Sequence, residues 1–122
     1  MSEFQNKQNK YNLEERTAVF GEHTIRLCKT LKQDVIIKPI ISQLIRSATS
    51  IGANYCEANG ASSKKDFRNK IFICKKEAQE TKHWLRMLVI SAPEKKIEAR
   101  KLWQESQEFT LIFGKIVSSL RN

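Results

Sequence analysis

Residues 63–88 read SKKDFRNKIFICKKEAQETKHWLRML, and apolar or small side chains recur along this stretch at alternating steps of four and three. The repeat consists of Phe67, Ile71, Cys74, Ala78, Thr81, Leu85 and Leu88. An α-helix has about 3.6 residues per turn, so this spacing puts the whole repeat on one face. Ser63 followed by Asp66 is typical of a helix N-terminus, because a serine oxygen accepts backbone N–H groups of the first turn. The stretch therefore predicts a long helix with one buried stripe.

Three further stretches, two before this helix and one after it, have the same periodicity. Their apolar or small positions are Leu13, Thr17, Phe20, Thr24, Leu27 and Leu31; Ile41, Leu44, Ala48, Ile51, Tyr55 and Ala58; and Leu102, Ser106, Phe109, Phe113, Ile116 and Leu120. Each set predicts a helix with one apolar face. Because the links between the helices are short, an antiparallel up-down-up-down four-helix bundle is the expected arrangement.

The ends of these helices also carry sequence signals. Asn12 with Glu15 three residues later predicts a capped start for the first helix. Pro39 predicts that the second helix begins close to it, because proline is tolerated only in a first turn. Asn59 and Gly60 predict its end, since either residue adopts the left-handed conformation that closes many helices.

The composition is that of one helical domain. The chain has 122 residues, of which 40% are hydrophobic and 29% charged, with only four glycines and two prolines. This size supports one core, and this balance favours an all-α protein over a β-sandwich or a disordered chain. We expect residues 1–11 to form a flexible N-terminal segment and residues 12–122 a single four-helix bundle domain.

No residue pattern points to a cofactor, a metal or a membrane. Cys28, Cys56 and Cys74 are far apart and form no C-x-x-C pair, so we interpret them as buried small hydrophobic residues. The sequence has no uncharged apolar run long enough to span a bilayer. We therefore expect a cytoplasmic protein with no metal, no cofactor and no small-molecule substrate.

The second helix has an unusual outer face. Within residues 40–58 the only charged side chains are Arg46 and Glu57, which share this face with Ser50 and Asn54. Such a face is too polar for a core and too weakly charged for a free surface, which suits an oligomer interface or polar packing. Arg46 and Glu57 are about 16 Å apart along the axis, so each is expected to pair with another helix or another subunit.

A catalytic interpretation of the same face has less support. Glu57 and Asn54, beside Cys56, have the chemistry of a general acid or base with a polar partner. The sequence shows no matching nucleophile, ligand set or second carboxylate nearby, and His23 and His83 fall on different helices. We therefore expect that the protein is not an enzyme.

Positive charge is concentrated on the third helix. The chain has a formal net charge of +9, and residues 61–91 contribute more than half of it, with eight Lys and Arg against three Asp and Glu. At helical spacing a row of cations projects within about 40° along roughly 33 Å of one flank. We name these cations, with two neighbours that widen the row, the basic flank: Lys64, Lys65, Arg68, Lys75, Lys76, Lys82 and Arg86.

Two interpretations of the basic flank remain open. It is either a nucleic-acid-binding surface that contacts RNA or DNA phosphates, or a solvated face whose cations are partly neutralised by Glu77 and Glu80. Like charges at this spacing repel one another, so a polyanionic partner would account for the row. Phe72, Trp84 and Trp103 are expected to lie elsewhere, so no aromatic side chain is expected on the flank.

Part of the sequence resembles a known protein family. The segments that carry the resemblance are Leu44–Ala48, Ser50–Ile51, Ala53–Asn54, Glu57, Ser63–Phe67, Glu77, Glu80 and Trp84–Leu85. Together they resemble the four-helix-bundle proteins encoded by intervening sequences of bacterial large-subunit ribosomal RNA genes, over about residues 12–120. One departure is that Glu57 is followed by Ala58-Asn59-Gly60, where many relatives have Glu-Gly.

The resemblance implies an antiparallel four-helix bundle that assembles into a ring-shaped homopentamer. It also implies similarity to the accessory variability protein of diversity-generating retroelements, a basic barrel associated with reverse transcriptase and nucleic acid. No enzymatic activity is implied. From residues and resemblance together we expect a non-enzymatic oligomeric nucleic-acid-binding protein; the alternative is a protein-interaction scaffold for a ribosomal or reverse-transcriptase-like partner.

Overall fold

A computed structural model describes residues 12–121, which form four long α-helices and no strand. The helices are α1 (Leu13–Lys29), α2 (Ile37–Asn59), α3 (Lys64–Ser91) and α4 (Lys96–Ser119), with a single 3-10 turn at Pro93–Lys95 before α4. The all-α prediction is confirmed. The segment 1–11, which we predict to be flexible, lies outside the described residues.

The helices pack in chain order around one core. α2 contacts α1 and α3, α4 contacts α3, and a smaller contact between α1 and α4 closes the bundle. At that closing seam the rings of Phe20 and Phe109 meet edge to face, with centroids 5.4 Å apart. Every position of the four predicted stripes is buried except Phe67, which is partly buried. Short links between neighbouring helices make this an antiparallel up-down-up-down bundle.

Buried hydroxyl groups connect three of the helices. Thr81 Oγ1 of α3 donates to Ser47 Oγ of α2 at 3.0 Å, and Ser106 Oγ of α4 donates to the carbonyl oxygen of Ala78 at 2.7 Å. Threonine and serine interrupt the apolar stripes at these positions. Because a buried hydroxyl needs a partner, these contacts favour one register of α3 against its neighbours.

The start of α3 agrees with the sequence, whereas the start of α1 does not. Ser63 has an extended backbone, and its Oγ accepts from the backbone N–H of Asp66 at 3.0 Å, so this predicted cap is confirmed. Asn12 precedes α1 with a left-handed backbone (φ 49°), and its side chain makes no cap hydrogen bond. The prediction for Asn12 is therefore wrong, because a capping side chain needs an extended backbone to reach the first turn.

Both ends of α2 lie where the sequence predicts them, close to Pro39 and at Asn59, but their backbone details differ. α2 starts at Ile37, two residues before Pro39, and Asp34 Oδ1 accepts from the backbone N–H of Ile36 (2.9 Å) and Ile37 (2.8 Å). At the other end Gly60 has φ −97°, so the predicted left-handed closure is wrong. The last turn of the helix instead closes with a 3-10-type hydrogen bond, in which the N–H of Gly60 donates to the carbonyl oxygen of Glu57 at 3.1 Å.

Candidate nucleic-acid interface

The basic flank faces α4. The aliphatic stem of Lys75 lies over Gly114, since a Cβ at Gly114 would be 3.6 Å from Lys75 Cε. Further along, Lys82 Nζ donates to Gln107 Oε1 and lies 5.3 Å from the ring centroid of Trp103. The flank is therefore one wall of a surface that α3 and α4 form together.

Two shallow hollows lie at the two ends of this surface. The first is lined by Ser63, Lys64, Lys65, Arg68, Leu120 and Arg121. The second is lined by Leu85, Arg86, Val89, Ile90, Lys96, Ala99, Arg100 and Trp103. Neither lining contains a carboxylate. The second hollow therefore joins Arg86 of α3 to cations of α4, and the first joins cations of α3 to Arg121, just beyond the end of α4.

We name the combined surface the α3–α4 basic face. It consists of the basic flank together with Lys96, Arg100 and Arg121. All members are exposed or partly exposed, and Lys76 is the member that turns furthest toward the outside of α3. Sequence reasoning missed the contribution of α4, although Lys96, Arg100 and Trp103 follow one another at steps of four and three.

An aromatic side chain beside this face was also missed. We expected Trp103 to lie elsewhere, but it lies beside Lys82 and lines the second hollow, with 40% of its surface exposed. Its position depends on how α4 is rotated against α3, and this rotation cannot be deduced from the residue spacing within one helix. Trp84 does lie elsewhere, on the opposite flank of α3, where its Nε1 donates to Glu80 at 2.9 Å.

The acidic residues of α3 do not neutralise the basic flank. Glu77 Oε2 is 3.0 Å from Arg46 Nη1, and Glu80 Oε2 contacts Arg46 Nη2. The hydrogen bond from Trp84 and the contacts of Arg46 lower the pKa of Glu80 below its ordinary value. The structure thus gives no support to the interpretation in which Glu77 and Glu80 partly neutralise the flank, because both pair with Arg46 of α2.

Most of the basic flank has no carboxylate partner within residues 12–121. The cations without an ion pair there are Lys65, Arg68, Lys75, Lys76, Lys82 and Arg86. The same holds for Lys96 and Arg100 of α4 and for Arg121, which follows that helix. The positive charge of the face is therefore not compensated by its neighbours.

The polar face of α2 packs against α3 of the same chain. Arg46 pairs with α3 as described, and Glu57 Oε1 is 2.9 Å from Lys70 Nζ. Between them, Ser50 Oγ donates to the carbonyl of Arg46 at 2.6 Å and Asn54 Nδ2 donates to the carbonyl of Ser50 at 2.8 Å. All four residues thus have partners within one chain, Ser50 and Asn54 on their own helix, and their place in an oligomer interface stays a prediction.

Glu57, which was considered as a general acid or base, is paired with Lys70, and burial raises the pKa of Tyr55, two residues before it, to about 12. No group of three or more His, Cys, Asp or Glu side chains suitable for a metal ion occurs within the described part of the chain. No helix among residues 12–121 is long and apolar enough to cross a membrane.

The three cysteines differ in environment. Cys28 and Cys74 are buried as predicted, and burial raises their pKa values to about 11 and about 12, so both thiols stay protonated at neutral pH. Cys56 is exposed, so the prediction of burial is wrong for this residue. It lies one residue beyond Tyr55, about 100° away from the buried stripe of α2.

Fold and charge together define a basic, antiparallel four-helix-bundle protein. The chain belongs to the family of 23S rRNA-intervening sequence proteins, whose family model matches residues 9–115. A solved structure to which it is similar is a protein of unknown function from the S23 ribosomal protein family of Bacteroides thetaiotaomicron. The two sequences are 32% identical, the match covers 86% of this chain and 97% of the other, and the TM-score is 0.76. No curated protein matches the chain significantly. The family resemblance seen in the sequence is thus confirmed.

Proposed function

We propose that this protein is a non-enzymatic oligomeric protein that binds RNA or DNA phosphates through the α3–α4 basic face. One observation carries the proposal: cations line this face from end to end, and most have no ion pair among the described residues. A phosphate backbone would supply the missing negative charge and would release its own counterions on binding.

The geometry suits contacts to a backbone better than reading of a sequence. The cations of α3 extend along about 33 Å, comparable to one turn of duplex DNA. They end in flexible side chains on one flank of a helix, without a recognition element that could enter a groove. Such contacts position a nucleic acid but carry little sequence information.

Assembly would strengthen binding at such a face. A single face with few phosphate contacts gives modest affinity, whereas several linked faces act on one strand at a high effective concentration. The family resemblance of the sequence supports a ring-shaped homopentamer. In that assembly the basic faces of successive subunits would be repeated around one axis.

A salt series tests the proposal. The wild-type protein is titrated with a structured RNA and with duplex DNA at increasing salt, while light scattering gives its mass. We expect a mass of more than one chain, and log affinity that falls linearly with log salt. An absence of binding at low salt would contradict nucleic-acid binding, and a monomeric mass would contradict the oligomer.

A protein-interaction scaffold is the second candidate function. It is favoured by two exposed apolar side chains on either side of the α3–α4 turn, Ile90 and Ile97, which are 79% and 71% exposed. Docking of a ribosomal or reverse-transcriptase-like protein on apolar side chains would depend only weakly on salt. The salt series therefore separates the two candidates.

A further inference from the structure

The hollow at the α3–α4 turn end of the basic face has a distinctive lining, and we name it the Trp103 hollow. Its lining includes the apolar residues Leu85, Val89 and Ala99. Trp103 also lines it, with 40% of its surface exposed. The hollow thus combines apolar surface with a flat aromatic ring, a combination that phosphate binding alone does not require.

One side of the Trp103 ring is already held in place. Lys82 Nζ lies 5.3 Å from the ring centroid, close enough for a cation–π contact, and the same ammonium group donates to Gln107. This contact restrains the indole, so little side-chain entropy remains to be lost when a ligand covers its exposed part.

Three cations line the hollow together with Trp103, and its lining contains no acidic side chain. Arg86 comes from α3, and Lys96 and Arg100 come from the first turns of α4. None of the three has an ion pair within residues 12–121, and all three are exposed. A ligand that fits must therefore offer negative charge on more than one side of a flat, largely apolar group.

An unpaired nucleotide has this combination of groups. Its base has a flat π-face that stacks on indole, and the phosphates on either side carry the charge. A paired base in a duplex is already stacked and is not accessible to Trp103. An acidic peptide would satisfy the cations but would leave the aromatic ring without a partner of matching shape.

We propose that the Trp103 hollow binds one unpaired nucleotide of a single-stranded segment, with the base stacked on Trp103 and the flanking phosphates on Arg86, Lys96 and Arg100. This inference rests on the proposed function and specifies that the basic face binds single-stranded nucleic acid at this end. The hollow contacts groups that RNA and DNA share, so a single strand of either binds.

Tryptophan fluorescence gives a direct test, because the chain has only two tryptophans and Trp84 lies on the opposite flank of α3. The probes are a short single-stranded RNA, the DNA strand of the same sequence, and an abasic strand of equal length that keeps the phosphates. Both strands with bases are expected to quench the emission of the wild-type protein, whereas the abasic strand is not. In Trp103→Phe, where Trp84 is the remaining fluorophore, the quenching is expected to disappear.

Affinity gives a second measurement. Trp103→Ala is expected to weaken binding of the single-stranded RNA by about 5- to 150-fold, the usual effect of losing one stacked base. Trp103→Phe retains a ring and is expected to lose less. Binding of duplex DNA is expected to change little in either variant, and circular dichroism checks that both are folded.

Two results would overturn the inference in distinguishable ways. If the strands with bases and the abasic strand bind equally and leave the emission unchanged, the hollow binds phosphates only, and the proposed function stands without the stacked nucleotide. If no strand and no duplex binds at low salt, the proposed function falls together with the inference.

Discussion

Arg46 holds the carboxylates of Glu77 and Glu80 on the side of α3 that faces α2. Its guanidinium group contacts both Glu77 and Glu80, which draws their carboxylates toward α2 and leaves the other flank of α3 basic. Glu80 also lies four residues after Lys76, a spacing that allows a pair within the helix. The structure favours Arg46 instead, because its planar group engages both carboxylates and lies beside the Trp84 donor.

Replacing Arg46 with Gln is expected to lower stability by about 1 kcal/mol or less at neutral pH, since the ion pairs are partly exposed and screened by solvent. Contacts with Trp84 and Arg46 depress the pKa of Glu80 in the folded state. These contacts therefore stabilise the folded state fully at pH values above 4.5, the ordinary pKa of the carboxyl group, and their contribution is lost as the pH falls below it. The melting temperatures of wild type and Arg46→Gln should thus differ most at neutral pH and converge in acid.

Arg26→Gln provides a matched control for this prediction. Arg26 contacts Glu22 on the same helix at 3.7 Å, and both side chains are mostly exposed. Arg26→Gln is expected to shift the melting temperature less than Arg46→Gln does. A difference between wild type and Arg46→Gln that stays constant down to strongly acidic pH would contradict the role assigned to Glu80.

The helices could be predicted from sequence far better than their ends. The stripes of α1 to α4 follow from local spacing, and all but one of the predicted positions are buried. The ends depend on single backbone angles that the surrounding chain sets. Asn12 is left-handed where an extended residue was expected, and Gly60 is not left-handed where that conformation was expected. Asp34 was missed because it lies three residues ahead of the helix that it caps.

Gly60→Ala tests the end of α2. With φ −97° the site accepts a side chain, and an added Cβ would be 3.7 Å from the carbonyl oxygen of Glu57, an ordinary contact. We expect no loss of stability, or a gain of about 0.4–1 kcal/mol from the reduced freedom of the unfolded chain. The free energy of unfolding in urea measures it.

Gly52→Ala is the contrasting variant on the same helix. A Cβ at Gly52 would be only 3.3 Å from Thr17 Oγ1, so Thr17 would have to shift by a few tenths of an ångström. Because Thr17 is buried, we expect the free energy of unfolding to fall. If Gly60→Ala instead costs about 1 kcal/mol or more, the turn requires the left-handed conformation, and the described end of α2 is wrong.

The two sides of the bundle differ in charge. Acidic residues form ion pairs where α2 meets α3 and where α1 meets α4. At the second contact Arg16 pairs with Glu105 and Glu108 at 2.7 and 2.8 Å. The α3–α4 side has cations from both helices and, in its two hollows, no carboxylate. The basic flank could be predicted from one helix, because helical spacing alone determines it. Trp103, Lys96 and Arg100 could not, because their place beside α3 depends on the packing of α4.

The most direct measurement compares RNA binding by two triple variants across a salt series. One has Arg68, Lys75 and Arg86 changed to Gln on the basic face; the other has Lys29, Lys32 and Lys38 changed to Gln near the α1–α2 turn. Each variant loses three positive charges, so the formal net charge is 9 − 3 = +6 in both. The basic-face variant is expected to bind a structured RNA more weakly, with a salt slope lower by roughly 0.7–0.9 per lost phosphate contact, while the control keeps the wild-type slope. Equal weakening in both variants would show that binding follows total charge, which would contradict a defined binding face on α3 and α4.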